Sequence, residues 1–163
     1  MIVKKLLEEF DEETIRLFVQ KNADYYIAKW KIMAASGSKI SWNWSAFLFN
    51  SWWFGYRKMY LYAFIYILLN ILSIVPLFGF IFWIFLWIMV GMFGNYLYAK
   101  KTYETLSILK SAYSDEQIFK NMVAKEGGTT VFGVILVILV AIAVYITLLI
   151  FLSAYIGSSG YYY

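Results

Sequence analysis

The chain has 163 residues, is 63% hydrophobic and 22% aromatic, and carries a net charge of +4 with a mean hydropathy of +0.67. It has no Cys and no His, which excludes disulfides, thiol catalysis, haem ligation by His and the usual zinc sites. All fourteen basic and ten acidic residues lie outside two stretches, 59–99 and 127–163, and the sequence-based expectation is that apolar runs of this length are solvated by lipid.

The pattern predicts an all-α integral membrane protein in one compact domain. Its expected parts are three transmembrane helices, an aromatic interfacial or re-entrant helix and a small cytoplasmic helical subdomain. Residues 1–39 supply amphipathic cytoplasmic helices. Met1–Phe10 has two lysines but no apolar core, so the later apolar runs are expected to direct insertion. Asp11 is placed to cap a helix whose first turn holds Glu12 and Glu13. Ile15, Phe18, Val19, Tyr26, Trp30 and Met33 then form one apolar stripe, with a second start at Asn22 and an end at Gly37. The acidic run Glu8, Glu9, Asp11, Glu12 and Glu13 matches no cation-binding loop and reads as a solvated helix start.

Residues 40–58 are the most distinctive segment. Trp42, Trp44, Trp52 and Trp53, with Phe47, Phe49, Phe54 and Tyr56, favour the headgroup level, where ring and polar edge are both satisfied. The uncharged part is short for a crossing, so it is expected to lie at the inner leaflet as an interfacial or re-entrant helix. Arg57 and Lys58 end it, placed to snorkel to phosphates.

Residues 59–99 read as a helical hairpin turning at Pro76. Its second arm continues at helical spacing to about Tyr113, giving one helix roughly 55 Å long. Lys100 and Glu104 are spaced as a surface ion pair. Ser114-Asp115-Glu116-Gln117 reads as a capping box opening a short helix that ends at Gly127-Gly128. Residues 127–163 hold the third crossing, capped by Thr129 or Thr130, and a tyrosine-ended outer tail. Lys39, Arg57 and Lys58 precede the hairpin, and five lysines lie between 100 and 126; the hairpin turn and tail have none. The positive-inside rule then puts the N-terminus and residues 100–126 in the cytoplasm and the C-terminus outside.

The stretch from Lys21 to Tyr60, above all NWSAFLFNSWWFGYRKMY, together with GNYLYAKKTYETL (Gly94–Leu106) and AKEGGTT (Ala124–Thr130), resembles a bacterial membrane family catalogued as domain of unknown function 2628. Asn50-Ser51 stands where that resemblance leads one to expect a Gly-Pro-like turn. The resemblance implies a protein of the bacterial cytoplasmic membrane and gives no reaction.

No catalytic constellation, phosphate loop or cofactor motif is recognisable, so neither an enzyme nor a cofactor is expected. Gly91, Gly94 and Asn95 give the second crossing a small, polar face for helix packing, with Asn70 as the plausible partner. The leading functional expectation is a non-enzymatic scaffold or accessory subunit. Its partners are membrane lipids and either a second copy or another membrane protein, with no nucleic acid. The alternatives are a small oligomeric channel using Asn70, Asn95 and Thr147, and an enzyme acting on lipid headgroups near Arg57 and Lys58.

Overall fold

The computed structural model describes residues 1–75 and 78–159; the expected turn at Pro76 and the tyrosines at 161–163 lie outside the described residues. Every regular element among the described residues is helical: α1 (Ile2–Glu9), α2 (Glu12–Val19), α3 (Ala23–Ser36), α4 (Trp44–Phe49), α5 (Ser51–Tyr56), α6 (Tyr60–Asn70) with a 3₁₀ turn (Ile71–Ile74), α7 (Phe78–Ala112), α8 (Glu116–Glu126) and α9 (Val131–Ser159).

The polar half is built by short helices with clear stop signals. Asp11 caps α2, its carboxylate accepting from the Thr14 amide at 2.8 Å, and that bond holds the carboxyl below its ordinary pKa. Asn22 opens α3 in the left-handed conformation but makes no side-chain cap; Gly37 closes it with φ +69°. The stripe from Ile15 to Met33 is buried throughout. It packs with Val3 and Leu6 of α1, a helix the sequence reading did not single out, and with Tyr98, Leu106 and Leu109 of α7. The cap of α8 is Asp115, which accepts from Ile118 N, rather than Ser114: the carboxylate one residue later reaches the same orphan amides. Polar contacts tie α8 to the N-terminal helices, among them Lys120–Glu13 at 3.5 Å and Gln20 Nε2 donating to Ala124 O.

Among the described residues two helices, not three, are long and apolar enough to cross a membrane: Phe78–Ala112 and Val131–Gly157. The first expected crossing is a shorter apolar helix, Tyr60–Ile74. Asn70 explains where α6 stops: its side-chain amide donates to Tyr66 O, its carbonyl takes the Ser73 hydroxyl, and the chain tightens into the 3₁₀ turn. Gly79 then lies so close to the Ser73 carbonyl that no Cβ fits, which sets the hairpin's tight return.

The expected single helix over 40–58 is two. Asn50, at φ 44°, ψ −115°, breaks the chain between α4 and α5 and so supplies the bend. α5 crosses α9 through a pair of glycines: a Cβ on Gly55 would meet Gly133 O at 2.6 Å, and a Cβ on Gly133 would meet Gly55 O at 2.3 Å. Thr130 N donates to Tyr56 O beside this crossing. The rest of α9 is uncovered apart from Val137 and a few half-buried neighbours. Gly133→Leu should therefore detach α9 from α5 and lower the unfolding free energy of the detergent-solubilised protein by about 1–3 kcal/mol, the usual cost of overpacking. A melting temperature unchanged from the parent protein would contradict the crossing.

Candidate functional site

Two buried polar clusters flank the aromatic segment. The first joins residues 41–43 to α7. Asn43 Nδ2 donates to Asn95 Oδ1 at 2.9 Å, Asn95 Nδ2 donates to Ser41 Oγ at 3.0 Å, and Asn43 Oδ1 accepts from Ala46 N to start α4. Trp30 Nε1 donates to the Asn95 carbonyl from the other side. Gly91 and Gly94 make this approach possible: a Cβ on Gly94 would stand 2.7 Å from Ala46 Cβ, and one on Gly91 3.0 Å from Phe47 Cβ. The close seating lets Ser41 N and Asn43 N donate to the helical carbonyls of Met92 and Gly91.

The second cluster centres on Arg57, only 3% exposed. Nη1 donates to Val19 O at 3.1 Å and Tyr98 Oη at 3.3 Å, Nη2 donates to Lys21 O at 2.9 Å, and Nε has no partner. The guanidinium lies over the rings of Tyr26 and Tyr98, 4.5 and 5.0 Å from their centroids. The loop between α2 and α3 turns its carbonyls to this cation through two positive-φ residues, Gln20 and Asn22. Arg57 borders a cavity of about 370 Å³, walled mainly by Tyr26, Phe49, Trp52, Trp53, Tyr56 and Val134.

These positions correct several expectations. Arg57 does not snorkel outward; it is drawn into the fold by carbonyls and rings. Trp53 is not an interface anchor, since it is 3% exposed and packs on Phe54 and Tyr98. Trp44 and Trp52 are exposed, and Trp42 is half-buried against Gly91. Lys58 donates to Lys125 O. Asn70 is not the partner of Asn95, because its amide is spent on its own helix. Thr147 also bonds its own helix, at Ala143 O, and lies exposed on α9. The three polar residues that suggested a solute path are thus satisfied separately and do not share a cluster. Gly91 and Gly94 pack within the chain. Lys100 and Glu104 pair at 3.7 Å. Among the described residues no group of three or more acidic side chains is placed to hold a metal ion.

Residues 9–103, more than half of the chain, match the family described as Protein of unknown function (DUF2628). The chain belongs to that family. Comparison with curated proteins and with solved structures gives no match. The matched residues contain both polar clusters, whereas α8 and α9 lie beyond them.

Asn95 was read as a packing residue, but its pairing with Asn43 across 52 positions had no local signal. If the pair acts as one unit, Asn43→Leu and Asn95→Leu should each cost about 1–3 kcal/mol, and the double variant at least about 0.5 kcal/mol less than their sum. Denaturant unfolding in detergent measures this, and strict additivity would show that the two amides are uncoupled.

Proposed function

We propose that the chain is a non-enzymatic integral membrane protein, a scaffold or accessory subunit that works through helix packing and interfacial anchoring. The observation that carries this reading is α9. It is uncharged from end to end, yet only 6% of the residues in its most apolar stretch are buried, against 28% for α7. A core helix would be enclosed by its own protein; these helices present Leu, Ile, Val and Phe outward, as a helix facing hydrocarbon does.

In this reading α6 and its 3₁₀ turn form the short arm of a hairpin about 25 Å tall, and α7 forms the long arm. The hairpin enters from the side that holds α1–α3 and α8. Exposed Trp44 and Trp52 lie at the interface on that side. The excess of lysine and arginine there favours the cytoplasmic face, with the end of α9 outside. The absence of native Cys makes the test clean. Ala35→Cys and Ser111→Cys should label from one side of sealed vesicles and Gly157→Cys only from the other. Labelling of all three from one side, or a purified protein monodisperse in plain buffer without detergent, overturns the membrane placement.

Lateral assembly is supported by the far half of α9, where Ser153 and Gly157 stand four apart and a Cβ on Gly157 would meet nothing within 4 Å. Small residues at this spacing let helices of separate chains approach closely. Ser153→Cys should give a disulfide-linked pair, or a cross-linked partner, that Gly157→Leu removes. A protein that stays strictly monomeric and partnerless in native-lipid particles contradicts the scaffold reading.

A further inference from the structure

The Arg57 guanidinium is buried without a carboxylate. Among the described residues no acidic side chain pairs with it; its partners are two carbonyls, one phenol and two ring faces. A guanidinium has five N–H donors. Three are engaged here, which leaves one on Nε and one on the neighbouring Nη2. Two adjacent donors on a planar fork match two oxygens of a carboxylate or phosphate. Dipoles and π faces hold the cation in place, but they do not neutralise it, and a buried charge is costly until an opposite charge meets it.

The cavity beside Arg57 is suited to bringing that charge in. Its volume of about 370 Å³ falls within the range of small-ligand sites. Among the described residues Arg57 is the only charged one in its lining. Lys21 Nζ stands 5.7 Å from the Tyr56 ring centroid and Arg57 Cζ 6.0 Å from the same ring, so two cations flank one wall. The remaining lining is mostly apolar, and Phe49 and Trp52 at its margin are 54% and 49% exposed. One anion position beside exposed aromatic rings fits an amphiphile better than a freely soluble ion. Val134 brings the first turns of α9 into the wall, where that helix leaves the polar half of the molecule.

We infer that this cavity binds a phosphate-bearing anion, with Arg57 Nε and Nη2 donating to its oxygens, and that its source is an anionic phospholipid whose acyl chain runs along Phe49, Trp52 and Val134. The lipid source rests on the membrane placement proposed above; the anion position itself does not.

The test uses the full chain in detergent, titrated with phosphatidylglycerol or phosphatidylcholine bearing brominated chains, with quenching of tryptophan fluorescence as the signal. Native mass spectrometry counts the lipid retained. Phosphatidylglycerol should bind saturably, one per chain, about tenfold or more tighter than phosphatidylcholine, whose phosphate is already neutralised by an ammonium that Arg57 and Lys21 repel. Arg57→Gln should abolish that preference. Because Arg57 also braces the fold, Ser45→Phe is the second variant: Ser45 lines the same cavity and is none of Arg57's partners, so the added ring fills the cavity and should abolish the preference too. Equal binding of the two lipids, or a preference that survives Ser45→Phe, overturns the site. If inorganic phosphate alone raises the melting temperature in an Arg57-dependent way while the lipids bind equally, the lipid assignment is overturned in favour of a free anion. A protein that needs no detergent sinks the membrane placement instead, and the phosphate titration still reads the anion position.

Discussion

Arg57 points into the protein from the end of α5, and two distant parts of the chain are fixed by where it goes. It holds Val19 O and Lys21 O on the loop between α2 and α3, and Tyr98 Oη on α7. Arg57 thus fastens the polar subdomain to the hairpin beside the Trp30–Asn95 bond and the apolar stripe on α7. A lysine could not do the same, since a point charge on a flexible stem has no planar fork to divide among three acceptors. The backbone yields to this arrangement. Gln20, Asn22 and Lys58 all adopt positive φ at the joints around the guanidinium, a conformation that non-glycine residues hold only when their surroundings insist on it.

Close backbone approach does the corresponding work on the apolar side. Gly91 and Gly94 let α4 settle on α7 near enough for the Asn43–Asn95 amide pair to form, and Gly55 with Gly133 lets α9 cross α5. Each glycine pair is coupled to a polar bond that only short separation permits: Asn43 N to Gly91 O in one case, Thr130 N to Tyr56 O in the other. In a setting where water does not compete, such bonds give direction to contacts that apolar packing alone would leave free to slide.

What was legible in the sequence was local. The apolar stripe from Ile15 to Met33, the Asp11 cap, the Gly37 stop and the long α7 follow from helical period and terminal chemistry, and each is present. The polar sites were not legible in the same way. Arg57 after a tryptophan-rich run looks like a snorkelling interface residue, because its acceptors lie 36 to 41 positions away. Trp53 and Trp52 are adjacent in sequence, and only the seating of α5 decides that the first is buried and the second exposed. The split at Asn50 was not legible either, since Asn50-Ser51 replaces the Gly-Pro-like turn expected there, yet Asn50 takes the positive φ that separates α4 from α5. The first arm read as short already, and it is Tyr60–Ile74; what the sequence did not show is that the Asn70 side chain competes with the backbone and ends its α-helical part before the 3₁₀ turn.

The way the apolar surface is distributed along α9 bears on what surrounds it. At 100° per residue, the exposed large side chains from Val131 to Ile150 occupy about half of the helix circumference, the other half being turned toward α5 and α6. From Phe151 to Ile156 the exposed side chains Phe151, Leu152, Tyr155 and Ile156 fill the opposite arc, so over its whole length α9 exposes large apolar side chains on every side. A single partner helix covers one stripe of another, roughly the face set by residues three and four apart. It would leave much of the apolar surface of α9 in water. A medium that contacts all sides at once leaves nothing uncovered, and the proposed hydrocarbon surroundings have that property. A partner helix then has only to replace lipid along the Ser153–Gly157 face, where small side chains make close packing the better contact.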